Sequence, residues 1–511
     1  MENISISPDG SEFSLPSDER TEKEIEKIKE IAKEQKENGK KIVVVQGLGF
    51  VGAVNAAVIS NCEVGGEYPY YVIGVDLPTE NSFWKVEKIN NAESPFNVED
   101  PRVQEMVEEG RKNERLRATW VKEAYSLADI VIVDINLDVK KKEKGNIEDF
   151  DVNTPPFELA MEDIGKNIDP ETLVLIETTV PPGTTEEIVT PIIEEEFEKR
   201  GIDFEENPPL IAHSYERVMP GEKYVDSIIN MWRTYSGINE RSKEKAEDFL
   251  SDLINTEDYP LWDLRRPVDS EMAKIMENSY RAMNIAFIYE WTLMAEDVGV
   301  NLFEVVDSIS VRDGTHDNMM YPGFGVGGYC LPEDPLLGEW ASQELFGREE
   351  ELTFSKKAVK INDLMPLHTY DLVEEGLLGY VKDKKICVLG ASYRKDVDDT
   401  RNSPTVTLYD EIVENGGEAV IHDPYADTIE GRDDIEVYDD LEKVLSGSDA
   451  VVFVQPHKKY LDLPMDEVIS NIEAEGCVVD AFNILDDQEI KHLKEEGLRV
   501  LGVGKGHIRY L

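Results

Sequence analysis

Lys41-Ile-Val-Val-Val-Gln-Gly47-Leu-Gly49-Phe-Val-Gly52 decides the fold of this chain. A β-branched run that halts at glycine reads as a buried parallel strand entering a turn, and the apolar residues 53–60 that follow read as a helix. Gly-x-Gly-x-x-Gly alone is weak evidence. Here a strand precedes it and a helix follows, the context a dinucleotide-binding turn requires. The glycines permit the tight turn and the helix N-terminus faces a pyrophosphate, so Gly47, Gly49, Phe50, Val51 and Gly52 are expected to contact the cofactor. A second strand, 71–76, ends in Asp76, placed to bind a ribose hydroxyl and to disfavour a 2′-phosphate. The expected cofactor is therefore NAD rather than NADP.

Outward from this turn, strands at 129–134 and 173–177 continue an alternating α/β pattern, while the polar segments 91–118 and 138–157 read as surface decoration. Upstream, residues 22–40 alternate Glu and Lys around Ile25, Ile28 and Ile31 and read as a solvated helical appendage without chemistry. From Pro267 to about Val298 the spacing predicts one long helix, with Asp269 or Ser270 as its cap. Lys274 and Asn278 lie four apart on it, hence on one face. A solvated charge is the plain alternative for such a lysine. After a helical connection at 354–379, a second α/β unit opens with Lys385-Ile-Cys-Val-Leu-Gly390, and two α/β domains joined by helices make a cleft. Just past that strand, Arg394 and Arg401 could hold a diphosphate, or could form internal ion pairs in a charged loop.

The glycine-rich stretch Gly323-Phe-Gly-Val-Gly-Gly-Tyr-Cys330-Leu-Pro-Glu-Asp334 sets one cysteine at the end of a loop that a ligand could approach closely, with a carboxylate four residues on. A thiol held there can attack a bound carbonyl; a surface loop with an incidental cysteine is the alternative.

Composition narrows the partners. The 107 acidic residues against 53 basic ones give a formal charge of -54, which opposes broad contact with nucleic acid. No apolar run is long enough to cross a membrane, and the polar, acidic start does not read as a signal peptide. The cysteines, Cys62, Cys330, Cys387 and Cys477, show neither metal spacing nor a disulfide framework, so reduced thiols, no metal and a cytoplasmic setting are expected.

In this order the motifs resemble the UDP-glucose/GDP-mannose dehydrogenase family, the nucleotide-sugar 6-dehydrogenases, from residue 41 to 511. They are QGLGFVG (46–52), KVEKIN (85–90) with Ser94-Pro95, ETTVPPGTT (177–185), SYERVMPGE (214–222), SEMAKIMENSYRAMNIAF (270–287), GFGVGGYCLPED (323–334), YRKDVDDTRNSP (393–404), HDPYA (422–426) and DAFNILD (480–486). The resemblance implies two Rossmann-like α/β domains joined by a long central helix and a helical dimerisation domain. The expected division is a charged extension at 1–40, an NAD-binding domain at 41–232, a central helical domain with the cysteine loop at 233–378, and a UDP-sugar-binding domain at 379–511.

It also implies a four-electron oxidation of a sugar C6 alcohol to a carboxylate with two NAD, through a thiohemiacetal and thioester on Cys330. Lys274 and Asn278 would stabilise oxyanion character and hold the sugar, and Asp334 would organise the base or hydrolytic water. Thr179 and Glu216 fall near the reacting carbon. Lys85 and Arg401 fall on cofactor-contacting positions; Arg217, Tyr321, Gly323, Gly327, Gly328 and Arg394 fall on the sugar-nucleotide side. Family members form dimers through the long helix, and the apolar run 282–294 suits such burial in a homodimer or larger homo-oligomer.

Three departures stand out. Glu333 replaces a lysine usual near the cofactor phosphates, Ile135-Asn-Leu replaces a Thr-Pro, leaving Asn136 as a stand-in, and Arg394 replaces a commoner lysine. Arg394 and the pattern Glu216-Arg217-Val-Met-Pro-Gly221 match the branch acting on N-acetylated sugars, which implies UDP-N-acetylmannosamine or UDP-N-acetylglucosamine as substrate. UDP-glucose and GDP-mannose are the alternatives. Two further readings remain: a two-electron alcohol or hydroxy-acid dehydrogenase that needs no cysteine, and a nucleotide-binding scaffold with a degenerate site. The acidity itself resembles adaptation to high salt, where counterions screen self-repulsion. Thermal unfolding midpoints are then expected to rise between low and molar KCl; a flat response refutes salt adaptation.

Overall fold

β-branched runs buried on both faces build two parallel sheets, one in each of two units. The computed structural model describes residues 4–96, 98–218 and 221–511, so Met219 and Pro220 of the Glu216–Gly221 pattern lie outside the described residues. The first unit takes in residues up to Asp138, Val152–Ile275 and Trp340–Gly347; the second takes in Val139–Asp151, Met276–Glu339 and Arg348–Leu511.

The first unit opens with an antiparallel pair, β1 (Ile4–Ile6) and β2 (Glu12–Ser14), and helix α1 (Asp18–Glu37). The sheet follows with β3 (Lys41–Gln46), β4 (Tyr70–Val75), β5 (Leu116–Thr119) and β6 (Ile130–Val133). Helices α2 (Phe50–Ser60), α3 (Phe83–Asn90) and α4 (Pro101–Lys112) are interleaved with these strands. A short pair, β7 (Val139–Lys141) and β8 (Phe150–Val152), belongs to the second unit up to Asp151. Then come α5 (Pro155–Asn167), β9 (Leu173–Ile176), α6 (Thr190–Lys199), β10 (Leu210–His213), α7 (Tyr224–Ile229), β11 (Thr234–Gly237), α8 (Glu240–Leu253) and β12 (Trp262–Asp263). The sheet order is β12-β11-β10-β9-β6-β3-β4-β5, parallel except between β10 and β11. It therefore runs past residue 232, where the sequence reading ends the domain.

Two other expectations change here. Residues 91–118 are not mere decoration, because Leu116–Thr119 is the fully buried edge strand. Nor is the segment before residue 41 a solvated appendage: α1 buries Glu24, Ile28, Ala32 and Gln35. Its buried carboxylate explains both results. Glu24 accepts two bonds from the Arg117 Nη2 at 2.6 and 2.7 Å and one from Nε at 3.0 Å, so an arginine can sit in the edge strand. Removing one partner of such a pair costs about 3–5 kcal/mol, because the other charge stays buried. Neither partner is apolar, so hydrophobic periodicity does not reveal the contact.

Helix α9 (Pro267–Val298) is one 32-residue helix, about 48 Å long at the standard rise. The second unit continues with α10 (Leu302–Ser310), α11 (Cys330–Trp340) and α12 (Thr353–Gly376). Its sheet comprises β13 (Lys385–Leu389), β14 (Glu418–His422), β15 (Val437–Tyr438), β16 (Ser448–Phe453), β17 (Ile472–Asp480) and β18 (Arg499–Gly502), with α13 (Pro404–Glu414) between β13 and β14. The order is β15-β14-β13-β16-β17-β18, parallel throughout. Alternate residues feed separate cores: Ile386 and Val388 enter one cluster, Cys387 and Leu389 the other. In both sheets the winding reverses beside the first strand, between β3 and β6 and between β13 and β16. Sheets of this kind bind ligands outside that point.

Candidate active site

At the reversal point of the first sheet, Gly47 leaves β3 with φ +93°, a conformation that disfavours other residues. A Cβ on Gly52 would lie 1.9 Å from the Gly47 carbonyl oxygen, so α2 can approach the turn only without a side chain there. Gly49 caps α2 with no side-chain hydrogen bond, and a helix N-terminus of this kind suits an anion. Phe50 stacks on Phe96 at 4.1 Å, and Val51 is half-buried in the same turn. Asp76 follows β4; its Oδ2 accepts from the Leu48 amide at 3.1 Å and from Lys85 at 3.3 Å. The turn, the acid and Lys85 are thus brought together, and the open cradle fits a dinucleotide.

Beneath the turn lies a network that motif spacing did not reveal. Arg233, fully buried, donates to Glu177 at 2.6 Å. Asn55 on α2 donates to Glu177 at 2.7 Å and to Asp134, just past β6, at 3.1 Å. Burial raises the Asp134 carboxyl well above the usual carboxylate range, and the Glu177 charge adds to this. Asn55 was the available signal: a polar residue inside an otherwise apolar helix. Thr179 sits half-buried two residues past Glu177.

A second group in this unit surrounds Tyr215. Lys274 is buried, not solvated; its Nζ donates to the Glu216 carbonyl at 3.2 Å and lies 5.4 Å from the Tyr215 ring centroid. Arg217 donates to the Tyr215 hydroxyl at 3.0 Å, and the half-buried Glu216 carboxylate accepts from the Val218 amide. His213, at the end of β10, bonds Ser270 at 2.6 Å. Burial, with the charge of Lys274 adding to it, pushes the imidazole down to about 3.

In the second unit Cys330 begins α11 and is exposed, whereas Cys62, Cys387 and Cys477 are buried. Burial pushes the thiols of Cys62 and Cys477 up to about 12. Asp334 lies one helical turn after Cys330, and its Oδ2 accepts from the Asn278 amide at 2.5 Å, both side chains being buried. Nucleophile candidate, carboxylate and amide are thus assembled within one unit. The cysteine loop is pinned to the segment after β13: Gly328 donates to the Arg401 carbonyl at 2.8 Å and accepts from Asn402 at 3.1 Å.

Other candidates stand apart or are committed to protein partners. Arg401 pairs with Asp399 at 2.5 and 2.8 Å, the internal ion pair weighed for this loop, and its guanidinium lies over Tyr329. Arg394 is half-buried. Tyr321 is exposed and donates to Asp307, and Gly323 opens toward Phe482. Gly327 packs against Tyr393. Glu333 turns its carboxylate to the Val139 amide and Asn402, and Asn136 bonds Asp138.

Three domain models of one family cover most of the chain: the NAD binding domain of the UDP-glucose/GDP-mannose dehydrogenase family at 40–253, its central domain at 268–364 and its UDP binding domain at 387–487. The chain belongs to this family. It is an NAD-dependent nucleotide-sugar dehydrogenase. It is 28% identical over 471 residues to UDP-N-acetyl-D-mannosamine dehydrogenase of Pyrococcus horikoshii, covering 91% of this chain and 100% of that protein. Its counterpart in Methanocaldococcus jannaschii is 28% identical over 484 residues, 92% and 97% covered. Among solved structures, NDP-N-acetyl-D-galactosaminuronic acid dehydrogenase from Methanosarcina mazei matches with a TM-score of 0.77 at 28% identity, over 94% of this chain and 98% of that one.

In this dehydrogenase, His213 makes a pH signature. Its folded pKa of about 3 lies below the ordinary 6.5. The unfolded chain therefore binds a proton that the folded one declines, so this stability is present above pH 6.5 and is lost as pH falls. His213→Gln is expected to make the decline of denaturant-measured stability near pH 5 shallower by about 1.4 kcal/mol per pH unit. Parallel curves for the two proteins would remove the assignment.

Proposed function

We propose that this dehydrogenase oxidises the C6 alcohol of a UDP-N-acetylhexosamine, UDP-N-acetylmannosamine or UDP-N-acetylglucosamine, to the uronic acid. The observation that carries the reading is the assembly at α11, where the one exposed cysteine is set a turn from a carboxylate that grips Asn278. NAD supplies the hydride acceptor in each of two oxidations. Residues of the Gly47–Gly52 turn bind its pyrophosphate, Asp76 and Lys85 its adenosine ribose, and Thr179 and Arg401 complete its contacts.

The alcohol first loses a hydride from C6 and its hydroxyl proton, giving an aldehyde. The Cys330 sulfur adds to that carbon, and the thiohemiacetal oxygen is steadied by Lys274 and Asn278. Loss of a second hydride and the hydroxyl proton leaves a thioester. Water, oriented by Asp334 with Lys274, expels the thiolate and yields the carboxylate. Glu216, Arg217, Tyr321, Gly323, Gly327, Gly328 and Arg394 hold the sugar nucleotide. The N-acetylated sugar is supported by Arg394, by the Glu216–Gly221 pattern and by the relatives whose names carry it; UDP-glucose or GDP-mannose is the alternative. A scaffold lacking turnover is disfavoured by the assembled Cys330, Asp334 and Asn278. A cytoplasmic setting accords with a sulfur that must stay reduced, and no helix among the described residues is long and apolar enough to cross a membrane.

The test is stoichiometric: about two NADH form per sugar oxidised with no free aldehyde accumulating, and Cys330→Ser abolishes acid production. One NADH per sugar, or undiminished acid from the variant, refutes the reading.

We also infer a homodimer or larger homo-oligomer. On α9 the residues Met276, Tyr280, Phe287, Trp291, Met294 and Val298 are each about half exposed or more, along one face. Phe287, Trp291 and Met294 fall in the run 282–294, while Ala282 and Ala286 of that run already pack against Ala358. Trp291→Glu is expected to lower the mass measured by light scattering to that of the monomer; a monomeric parent protein rules the dimer out.

A further inference from the structure

The family models begin at residue 40, yet the segment before it holds helix α3 at three points. α3 is eight residues long, and its own cap residue, Ser82, makes no side-chain cap bond. The cap comes instead from β1: the fully buried Ser5 hydroxyl accepts from the Trp84 amide at 3.0 Å and donates to the Glu80 carbonyl at 2.7 Å. This is the bond an N-cap side chain ordinarily supplies, here delivered from 79 residues away.

The remaining ion pairs grip the other end. Lys88 is buried between Asp9, at 2.6 Å, and Glu93, at 2.8 Å. Arg20 on α1 reaches Glu87 at 2.5 Å and lies over the rings of Phe83 and Trp120. So short a helix has little stability of its own, and its position is set by what grips it. Between the two grips α3 projects Lys85 to Asp76.

We propose that residues 4–37 are a positioning element for the adenosine-ribose end of the cofactor site. Ser5 and Asp9 fix the register of α3, and with it Lys85 and Asp76; they contact neither cofactor nor sugar. This rests on the reading that Asp76 and Lys85 bind the ribose. The inference concerns affinity for NAD alone, because the sugar and the thiol chemistry involve other residues.

The test compares Ser5→Ala, Ser5→Thr, Asp9→Asn and Asp76→Ala in the full-length protein, by NAD titration and steady-state kinetics. The KM for NAD is expected to rise about fivefold in Ser5→Ala and in Asp9→Asn, the size of a lost cap, with kcat and the KM for the sugar nucleotide unchanged. Ser5→Thr, which keeps the hydroxyl, restores the parent value. Ile193→Ala, a truncation of a fully buried side chain on α6, supplies a stability control: its melting temperature falls without a matching rise in the KM for NAD. A lower melting temperature with an unchanged KM for NAD in Ser5→Ala and Asp9→Asn overturns the proposal and leaves the segment a stability device. An unchanged KM for NAD in Asp76→Ala overturns the ribose reading itself.

Discussion

The approach of α2 to the end of β3 is the constraint on which the first unit depends. With the Gly47 carbonyl where the Gly52 Cβ would stand, and Asp134 backing the same turn, helix and strand meet at a distance only missing side chains allow. That closeness has an electrostatic cost, because it brings the carboxyl groups of Asp134 and Glu177 together beneath the turn. Arg233 and Asn55 offset it, one as a buried counter-charge and the other as a donor shared between Asp134 and Glu177. Burial, with the Glu177 charge adding to it, raises the Asp134 carboxyl well above the usual carboxylate range.

Much of the architecture was legible because local patterns and tertiary structure agree. The β-branched runs at β3 and β13, the glycine turn and the uninterrupted pattern of α9 each call for the element they form. What escaped were elements whose reason lies elsewhere in the chain. β5 contains an arginine that Glu24 pairs, and β1 has three residues, of which Ser5 caps a helix 79 residues later. Of the site, the cysteine, the lysine and the glycines could be named from motifs; Tyr215 and the Asn55 network could not. Aromatic and amide residues are read from sequence as packing, and acquire a role only when a charge is placed against them.

The acidic composition is felt inside the molecule as well as on its surface. Cations are scarce, with 53 against 107 anions, and two buried lysines each bind more than one acid. Lys356 meets Glu148 and Glu351, both at 2.8 Å, and Lys88 meets Asp9 and Glu93. A cation shared in this way joins stretches distant in sequence, here the β7–β8 hairpin with α12, and β1–β2 with α3. Such junctions couple local order to ionic conditions more tightly than an apolar contact does.

The burial of three cysteines has a chemical consequence for the fourth. Cys62, Cys387 and Cys477 are sealed in cores, so an oxidant in solvent meets a single sulfur. A sulfenic acid formed there finds no resolving thiol of its own chain on the accessible surface, and repair falls to small thiols from outside. The same isolation that makes this sulfur the accessible one leaves it exposed to irreversible damage whenever those reductants run short.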